Sequence, residues 1–452
     1  MAEITALRCL RYADQHDPEA VLAPPYDVIG PEDRARLAAR SPHNVVHLDL
    51  PEGEGDDRYE TAAKLLRRWM AEGVLVEDER PFLMRYRQTF PPPEGVPGVD
   101  AASITRSGFF ALVQAEPYRT RAVLPHERTL SGPKEDRFKL MRATEAALSP
   151  LFLLYTDAGG TVRRALDGAA GVGARRFRTE DDGIVHELDR VEDPATLAAV
   201  AEALRPTSLL IADGHHRYET AVRYGEVIDE ERAAAGRPAA GPRAAHRFAL
   251  AFLADADDPG LVVFPTHRLV HGLSGFDRGA FLRAAETAFE VRRGRLGEGA
   301  PGLEATVRSL QVAGSDRRPA FTAVFPDGET AELRLREDPG KEARAALDAQ
   351  PAVLRGVDVV VLHSVLLEGV LGITREAQAA QTNLRYLKAA TKGVDAIRRG
   401  EGDVLFLTNA TPVDEVREAC LAGEVMPQKS TFFFPKVPTG LLIHRLDPDR
   451  HL

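Results

Sequence analysis

The amino-acid sequence predicts an α+β fold, and three observations carry that expectation. Short apolar runs of strand length alternate with stretches of helical spacing, in irregular order rather than as repeated strand–helix–strand units. The chain has 452 residues, which at about 100–200 per domain argues for two or three domains or one large elaborated one. Apolar residues make up 44% and charged residues 28%, the balance of a globular chain with material for a large core.

The elements follow from local pattern. Residues 82–90 and 107–116 read as paired strands flanking the proline- and glycine-rich loop 91–100. Residues 135–148 have helical spacing, and 151–155 form a short buried strand. Then come a helix at 194–204, a strand at 208–212 and a helix at 218–226. The low-complexity run 231–242 reads as a linker, followed by a hairpin of 248–254 and 260–264. A helix at 276–289, a loop at 294–302, strands at 320–325 and 330–335 and a helix at 341–347 come next. The last hundred residues give helix 359–371, strand 383–387, a helix, strand 403–408, helix 413–422 and a final strand pair. No internal repeat or heptad run interrupts this order.

Composition excludes several functions. Sixty-eight acidic against fifty-eight basic side chains leave a net charge of −10, which argues against a general nucleic-acid binder. Cys9 and Cys420 lie far apart, form no C-x-x-C pair and read as ordinary thiols of a reducing compartment. The first residues hold no long apolar stretch, and the longest candidate span, 359–373, is broken by His363, Ser364 and Glu368. A cytoplasmic protein with no signal peptide and no membrane partner is the expectation.

Two nucleotide motifs are missing or empty. No G-x-x-x-x-G-K-[ST] run occurs, and the one G-x-G-x-x-G match, GEGAPG at 297–302, reads as a chance loop because no strand feeds it. The strongest local signal is SLLIADGHHRYETAVRY at 208–224. A buried strand ends in Asp213-Gly214 and a helix starts within a few residues, which puts His215, His216 and Arg217 at a helix N-terminus. Free backbone N–H groups favour an anion there, and Gly214 allows close approach. The plainer reading is a capping Asp213 with structural histidines; metal ligation is a third.

Four further clusters hold candidate groups. LPHERTLSGPKEDR at 124–137 offers His126, Glu127, Lys134, Asp136 and Arg137, either as a base beside phosphate-neutralising cations or as a solvated helix start. PTHRLVH at 265–271 offers His267 and Arg268, in a site or a surface turn. EVMPQKSTFFFPKVPTG at 424–440 sets Gln428, Lys429, Ser430 and Thr431 before three core phenylalanines, with Lys429 and Lys436 readable as surface residues. VLAPPYDVI at 21–29 presents Tyr26 and Asp27 behind a rigid Pro24-Pro25 turn. His43 and His47 are four apart, but VVHLDL alternates like a strand and makes no metal site. Clusters rich in Arg, Lys and His within an acidic chain point to an enclosed site for a small phosphorylated ligand, not a long polyanion.

The pieces APPYDVI, PHERTLSGPKEDR, IADGHHRYETA, DPGLVVFPTHRLV and MPQKSTFFFPK, in this order from Ala23 to Lys436, resemble the family catalogued as domain of unknown function 1015. LPHE, a charged helix, a short strand and then a strand ending in DGHHR further resemble the free serine kinase branch of the ParB/sulfiredoxin superfamily. This second resemblance implies a ParB/sulfiredoxin-like core with large insertions at 101–292, an N-terminal α+β segment at 1–100 and a C-terminal α+β region at 303–452. It also implies a kinase of free serine or a similar hydroxy amino acid, using ATP or ADP with Mg²⁺, or the reverse transfer from phosphoserine to ADP. Carried onto this sequence, Asp213, Gly214, His215, His216 and Arg217 meet the nucleotide phosphates, helped by Lys134, Arg137, His267 and Arg268, and Glu127 beside His126 is the base. Asp213 stands with the catalytic group, while Tyr26, Asp27, Gln428, Lys429, Ser430 and Thr431 fall to the substrate. The compact relatives lack the long segment 157–207, so Glu187 in VHELD is a second counterpart for the base. A hydrolase of a phosphorylated metabolite and a non-catalytic nucleotide-responsive regulator remain as alternatives.

Overall fold

A computed structural model describes residues 1–92, 103–129 and 131–452. Most of the expected loop 91–100 therefore lies outside the described residues. Helices and strands do occur in irregular order, around two large sheets.

The larger sheet has nine strands in the order Val123–Leu124, Leu209–Asp213, Leu151–Tyr155, Phe248–Asp255, Ile104–Gln114, Leu83–Phe90, Val185–Val191 and Val172–Arg178, with Ile4–Thr5 also on Ile104–Gln114. It is mixed. Leu209–Asp213 runs parallel to Val123–Leu124 and antiparallel to Leu151–Tyr155, which is itself parallel to Phe248–Asp255. Alternate residues of the central strands feed two cores, as the two-residue period requires. Phe110, Leu112, Leu250 and Phe252 pack with Val416, Ala419 and Phe433 on one face. Phe109, Ala111, Ala251 and Leu253 pack with Val162, Val200 and Tyr218 on the other. Gly108 sits where a Cβ would come within 2.3 Å of the Leu253 carbonyl oxygen and 2.5 Å of the Phe252 ring. Only glycine lets these strands close.

The second sheet has six strands: Phe289–Arg295, Glu329–Leu335, Ala320–Val324, Val404–Thr408, His267–Val270 and Leu384–Leu387. Every pairing in it is antiparallel. Between the sheets runs the segment 424–443. Phe432–Phe434 pairs with Val262–Phe264, and the Met426 N–H donates to the His126 carbonyl at 2.8 Å. Leu10 and Ile443 exchange two backbone hydrogen bonds of 2.8 Å, so the first strands are closed by the last residues.

Several local expectations were displaced by tertiary pairing. The apolar runs at 248–254 and 260–264 do not form a hairpin: the first enters the centre of the large sheet and Val262–Phe264 pairs instead with Phe432–Phe434. The final strands do not pair either, since His444–Arg445 joins Ala146–Ala147. The helix expected at 276–289 covers Arg278–Ala285, capped by Asp277, whose carboxylate accepts the Ala280 N–H; Phe289 already begins a strand. The loops at 294–302 and 231–242 are partly taken by the helices Gly299–Ala313 and His215–Ala234. Val46–Asp49 is helical, not extended. The helix at 359–371 begins as Asp358–Val361 and continues as a π-helix over Leu362–Val370. Among the described residues no helix is long and apolar enough to cross a membrane.

Candidate functional site

The buried strand Leu209–Asp213 delivers Asp213 to the edge of the sheet, and the chain turns at once into the helix His215–Ala234. Gly214 makes the turn with φ of +95°, and a Cβ there would stand 3.1 Å from both Arg217 Nε and Leu151 Cδ2. Gly214 has no side chain to cap this helix, and the backbone N–H groups of a helix N-terminus favour an anion.

Charges around that turn are tightly arranged. The Asp213 carboxylate accepts from both Arg217 and Lys436. Burial pushes its pKa up, but the Lys436 and Arg217 cations outweigh that and hold it well below the usual carboxylate range. Burial pulls His215 down to about 3, so it is neutral, and its Nε2 accepts the His126 N–H at 3.3 Å. His126 is fully buried; its Nδ1 lies 2.7 Å from the Ile211 carbonyl and must donate there. Its Nε2 lies 2.7 Å from Thr431 Oγ1 and 3.4 Å from Glu127 Oε1. Glu127 also accepts the N–H groups of Thr431 at 3.0 Å and Lys429 at 3.2 Å. Burial raises the Glu127 pKa, yet the hydrogen bond and charge of His126, with the Thr431 N–H, hold it at about 2.

These groups border a cavity of about 360 Å³, within the range of small-ligand sites. Tyr26 and Asp27 close one side; Glu127, Arg128 and residues 212–217 form another. Thr266, Gln381, Arg385, Tyr386 and Lys388 come from the six-stranded sheet and its approaches, and Lys429, Thr431, Phe432 and Lys436 from the segment between the sheets. Arg128, Arg217, Arg385, Lys388, Lys429 and Lys436 thus share this lining with Asp27, Glu127 and Asp213. Arg385 is paired with Glu401 at 2.7 Å, which leaves five cations with three carboxylates, a balance that suits an anion.

The family whose description reads "Protein of unknown function (DUF1015)" matches residues 4–360. The chain belongs to this family. No curated protein matches it. Three solved structures are similar to it at low TM-score. A conserved hypothetical protein from Pyrococcus furiosus shares 16% identity over 70% of this chain and 90% of its own, with a TM-score of 0.33. A free serine kinase in complex with AMP shares 15% over 71% and 89%, with a TM-score of 0.33. SbnI with a C-terminal truncation, from Staphylococcus aureus, shares 11% over 75% and 87%, with a TM-score of 0.35.

In this DUF1015 chain the cavity gathers Tyr26, Asp27, Glu127, Asp213, Gly214, His215, His216, Arg217, Lys429 and Thr431 from the residues that the sequence singled out. Others stand elsewhere because protein groups already satisfy them. Lys134 pairs with Glu219 at 2.8 Å. Arg137 is held by Asp49 at 3.2 Å and Asp136 at 2.5 Å and lies 4.3 Å from the Tyr26 ring centre. His267 is buried, its Nδ1 accepting the Thr408 N–H at 3.2 Å, and burial pulls it to about 3. Arg268 is buried and donates to the carbonyls of Thr266 and Lys429. Ser430 donates to the Pro427 carbonyl at 2.5 Å. Gln428 lines a neighbouring cavity of about 140 Å³ that shares Arg128 and Tyr386 with the first. Glu187 is on the strand Val185–Val191, 3.5 Å from Arg176, and borders neither cavity. Lys436 is not a surface residue but the partner of Asp213. Sequence reasoning missed Arg128, Thr266, Gln381, Arg385, Tyr386, Lys388 and Phe432. Apart from Arg128 and Thr266, all of these lie beyond residue 360, where the family match ends.

Proposed function

We propose that this protein is a nucleotide-dependent phosphotransferase acting on a small hydroxyl compound, free serine or a similar hydroxy amino acid, in either direction. The observation that carries the reading is the cavity at a helix N-terminus, where Arg128, Arg217, Lys388, Lys429 and Lys436 stand with three carboxylates. Phosphate groups of ATP or ADP lie against the first N–H groups of His215–Ala234 and the lysines of the 429–436 segment. Glu127 borders the same cavity and is ionised, so it can take the acceptor's proton as the new P–O bond forms. Asp213 serves as the anchor that orients Arg217 and Lys436 rather than as a base. Its carboxylate is occupied by those two cations, and no group of three His, Cys, Asp or Glu able to hold a metal occurs among the described residues. Mg²⁺ accompanying the nucleotide would be held mainly by its phosphates, and lysine, arginine and backbone N–H meet the rest of the phosphate charge. We further read the nine-stranded sheet as an expanded ParB/sulfiredoxin-like core, because it sets LPHE and DGHHR at the ends of adjacent parallel strands.

The test is ³¹P NMR of the protein with ATP or ADP, Mg²⁺ and a mixture of amino acids. A new phosphomonoester signal with matching loss of nucleotide is expected, and omitting amino acids singly names the acceptor. Unchanged nucleotide overturns the reading for those substrates, and inorganic phosphate released without transfer replaces it with a hydrolase.

A further inference from the structure

Tyr26, Thr266, Tyr386 and Thr431 bring hydroxyl groups to the lining of the cavity. Of these, Thr431 alone has its hydroxyl within hydrogen-bonding distance of described groups that can take its proton. Its Oγ1 lies 2.7 Å from His126 Nε2 and 3.4 Å from Glu127 Oε1. Thr431 is half-buried, while His126 is fully buried.

The imidazole is itself oriented. Its Nδ1 is committed to the Ile211 carbonyl at 2.7 Å, so Nε2 is the ring atom that exchanges a proton with Thr431. Glu127 Oε1 stands 3.4 Å from the same Nε2, placed to balance an imidazolium there. The Thr431 N–H donates to that carboxylate oxygen at 3.0 Å and fixes the backbone beside it. A hydroxyl on a base, with the base aligned by a third group, is the arrangement of an activated nucleophile. A hydroxyl that merely held the imidazole would serve as well inside the core. Thr431 instead lines the cavity together with Arg128, Arg217, Lys429 and Lys436, charges of the kind that neutralise a phosphoryl group in transit.

We propose that Thr431 is a site of self-phosphorylation. With nucleotide bound and no small hydroxyl compound present, the chain transfers the terminal phosphoryl group to its own threonine. The inference rests on the nucleotide reading given above and adds a covalent acceptor to it. In the step, Thr431 Oγ1 forms a bond to the terminal phosphorus as the bond from that phosphorus to the bridging oxygen breaks. The hydroxyl proton passes to His126 Nε2. The nucleotide leaves one phosphate shorter, as ADP from ATP or AMP from ADP.

The test incubates the whole protein with Mg²⁺ and ATP or ADP, without amino acids, and maps added phosphate by mass spectrometry of its peptides. Wild type is expected to gain a phosphoryl group on Thr431, with the shortened nucleotide formed alongside. The rate per chain should not change on dilution, as transfer inside one cavity requires. T431S keeps a hydroxyl and is expected to be modified at the same position, whereas T431V stays unmodified. Calorimetric titration with ADP reports separately whether each variant still forms the cavity; where T431V does not, T431S and the position mapped in wild type decide. A wild type that binds nucleotide but gains no phosphate, or gains it elsewhere, overturns the inference and leaves the nucleotide reading standing. A rate that falls in proportion to dilution does the same, since the phosphate then comes from another molecule. A wild type that binds neither ADP nor ATP overturns that reading, and this inference with it.

Discussion

Replacing Glu127 with glutamine leaves an acceptor for only one of the N–H groups of Lys429 and Thr431, which bond to different carboxylate oxygens, and removes the charge that can receive a proton. Turnover in the phosphotransfer assay is expected to fall by about 10²–10⁴, with Kd for nucleotide nearly unchanged; turnover within about threefold of wild type rules out the base role. The same residue carries a stability effect. Its folded pKa of about 2 lies below its ordinary value near 4.5, so its contribution is complete above the ordinary value and fades as pH falls toward 2. Acid denaturation should therefore show wild type and E127Q converging across that window. At the neighbouring turn, Gly214→Ala places a Cβ 3.1 Å from Arg217 and Leu151 at a φ of +95°. A loss of about 1–2 kcal/mol is expected from the backbone conformation, and nucleotide affinity should fall with it because Arg217 must shift. A G214A variant with wild-type melting and affinity would show that the turn has room to spare.

At the level of elements, the large sheet depends on close approach between Ile104–Gln114 and Phe248–Asp255. Gly108→Ala drives a methyl into the Leu253 carbonyl and the Phe252 ring, and urea denaturation should show a loss of at least about 2 kcal/mol. The helix Pro194–Leu204 offers a contrast: Asp193 accepts the Thr196 N–H at 2.9 Å, and Asp193→Ala should cost about 1 kcal/mol in the same assay. That helix was readable in sequence to the residue, as were Leu151–Tyr155 and Val413–Ala422, because local propensity and burial agree there. What stayed hidden was partnership. Residues 248–264 look like a hairpin because two apolar runs stand close in sequence, and nothing local reveals that one enters the sheet centre while the other pairs with Phe432–Phe434. The site divides likewise. His215, His216 and Arg217 were legible since a strand, a glycine and a helix start are local chemistry. Lys388 was not, because the Phe432 ring and the cavity wall it joins arrive from elsewhere in the chain.

For the whole molecule, the cavity has walls from both sheets, and one core packs the central strands of the larger sheet with Val416, Ala419 and Phe433 from the last part of the chain. Thermal unfolding is expected as one transition rather than two. ADP or ATP at about a hundred times Kd should stabilise it by about 2.7 kcal/mol, moving the whole transition upward. Two separate melting steps, with only one displaced by nucleotide, would show that the sheets are energetically independent. Leu10 meets Ile443, and the site joins Tyr26 to Lys436. During translation at about 5–20 residues per second, an early portion of the cavity wall therefore waits on the order of tens of seconds for its opposite side. Throughout that wait Asp213 has no Lys436 and the strand at Leu10 has an open edge, so a nascent chain of this protein is a natural client for chaperones that shield unpaired strands.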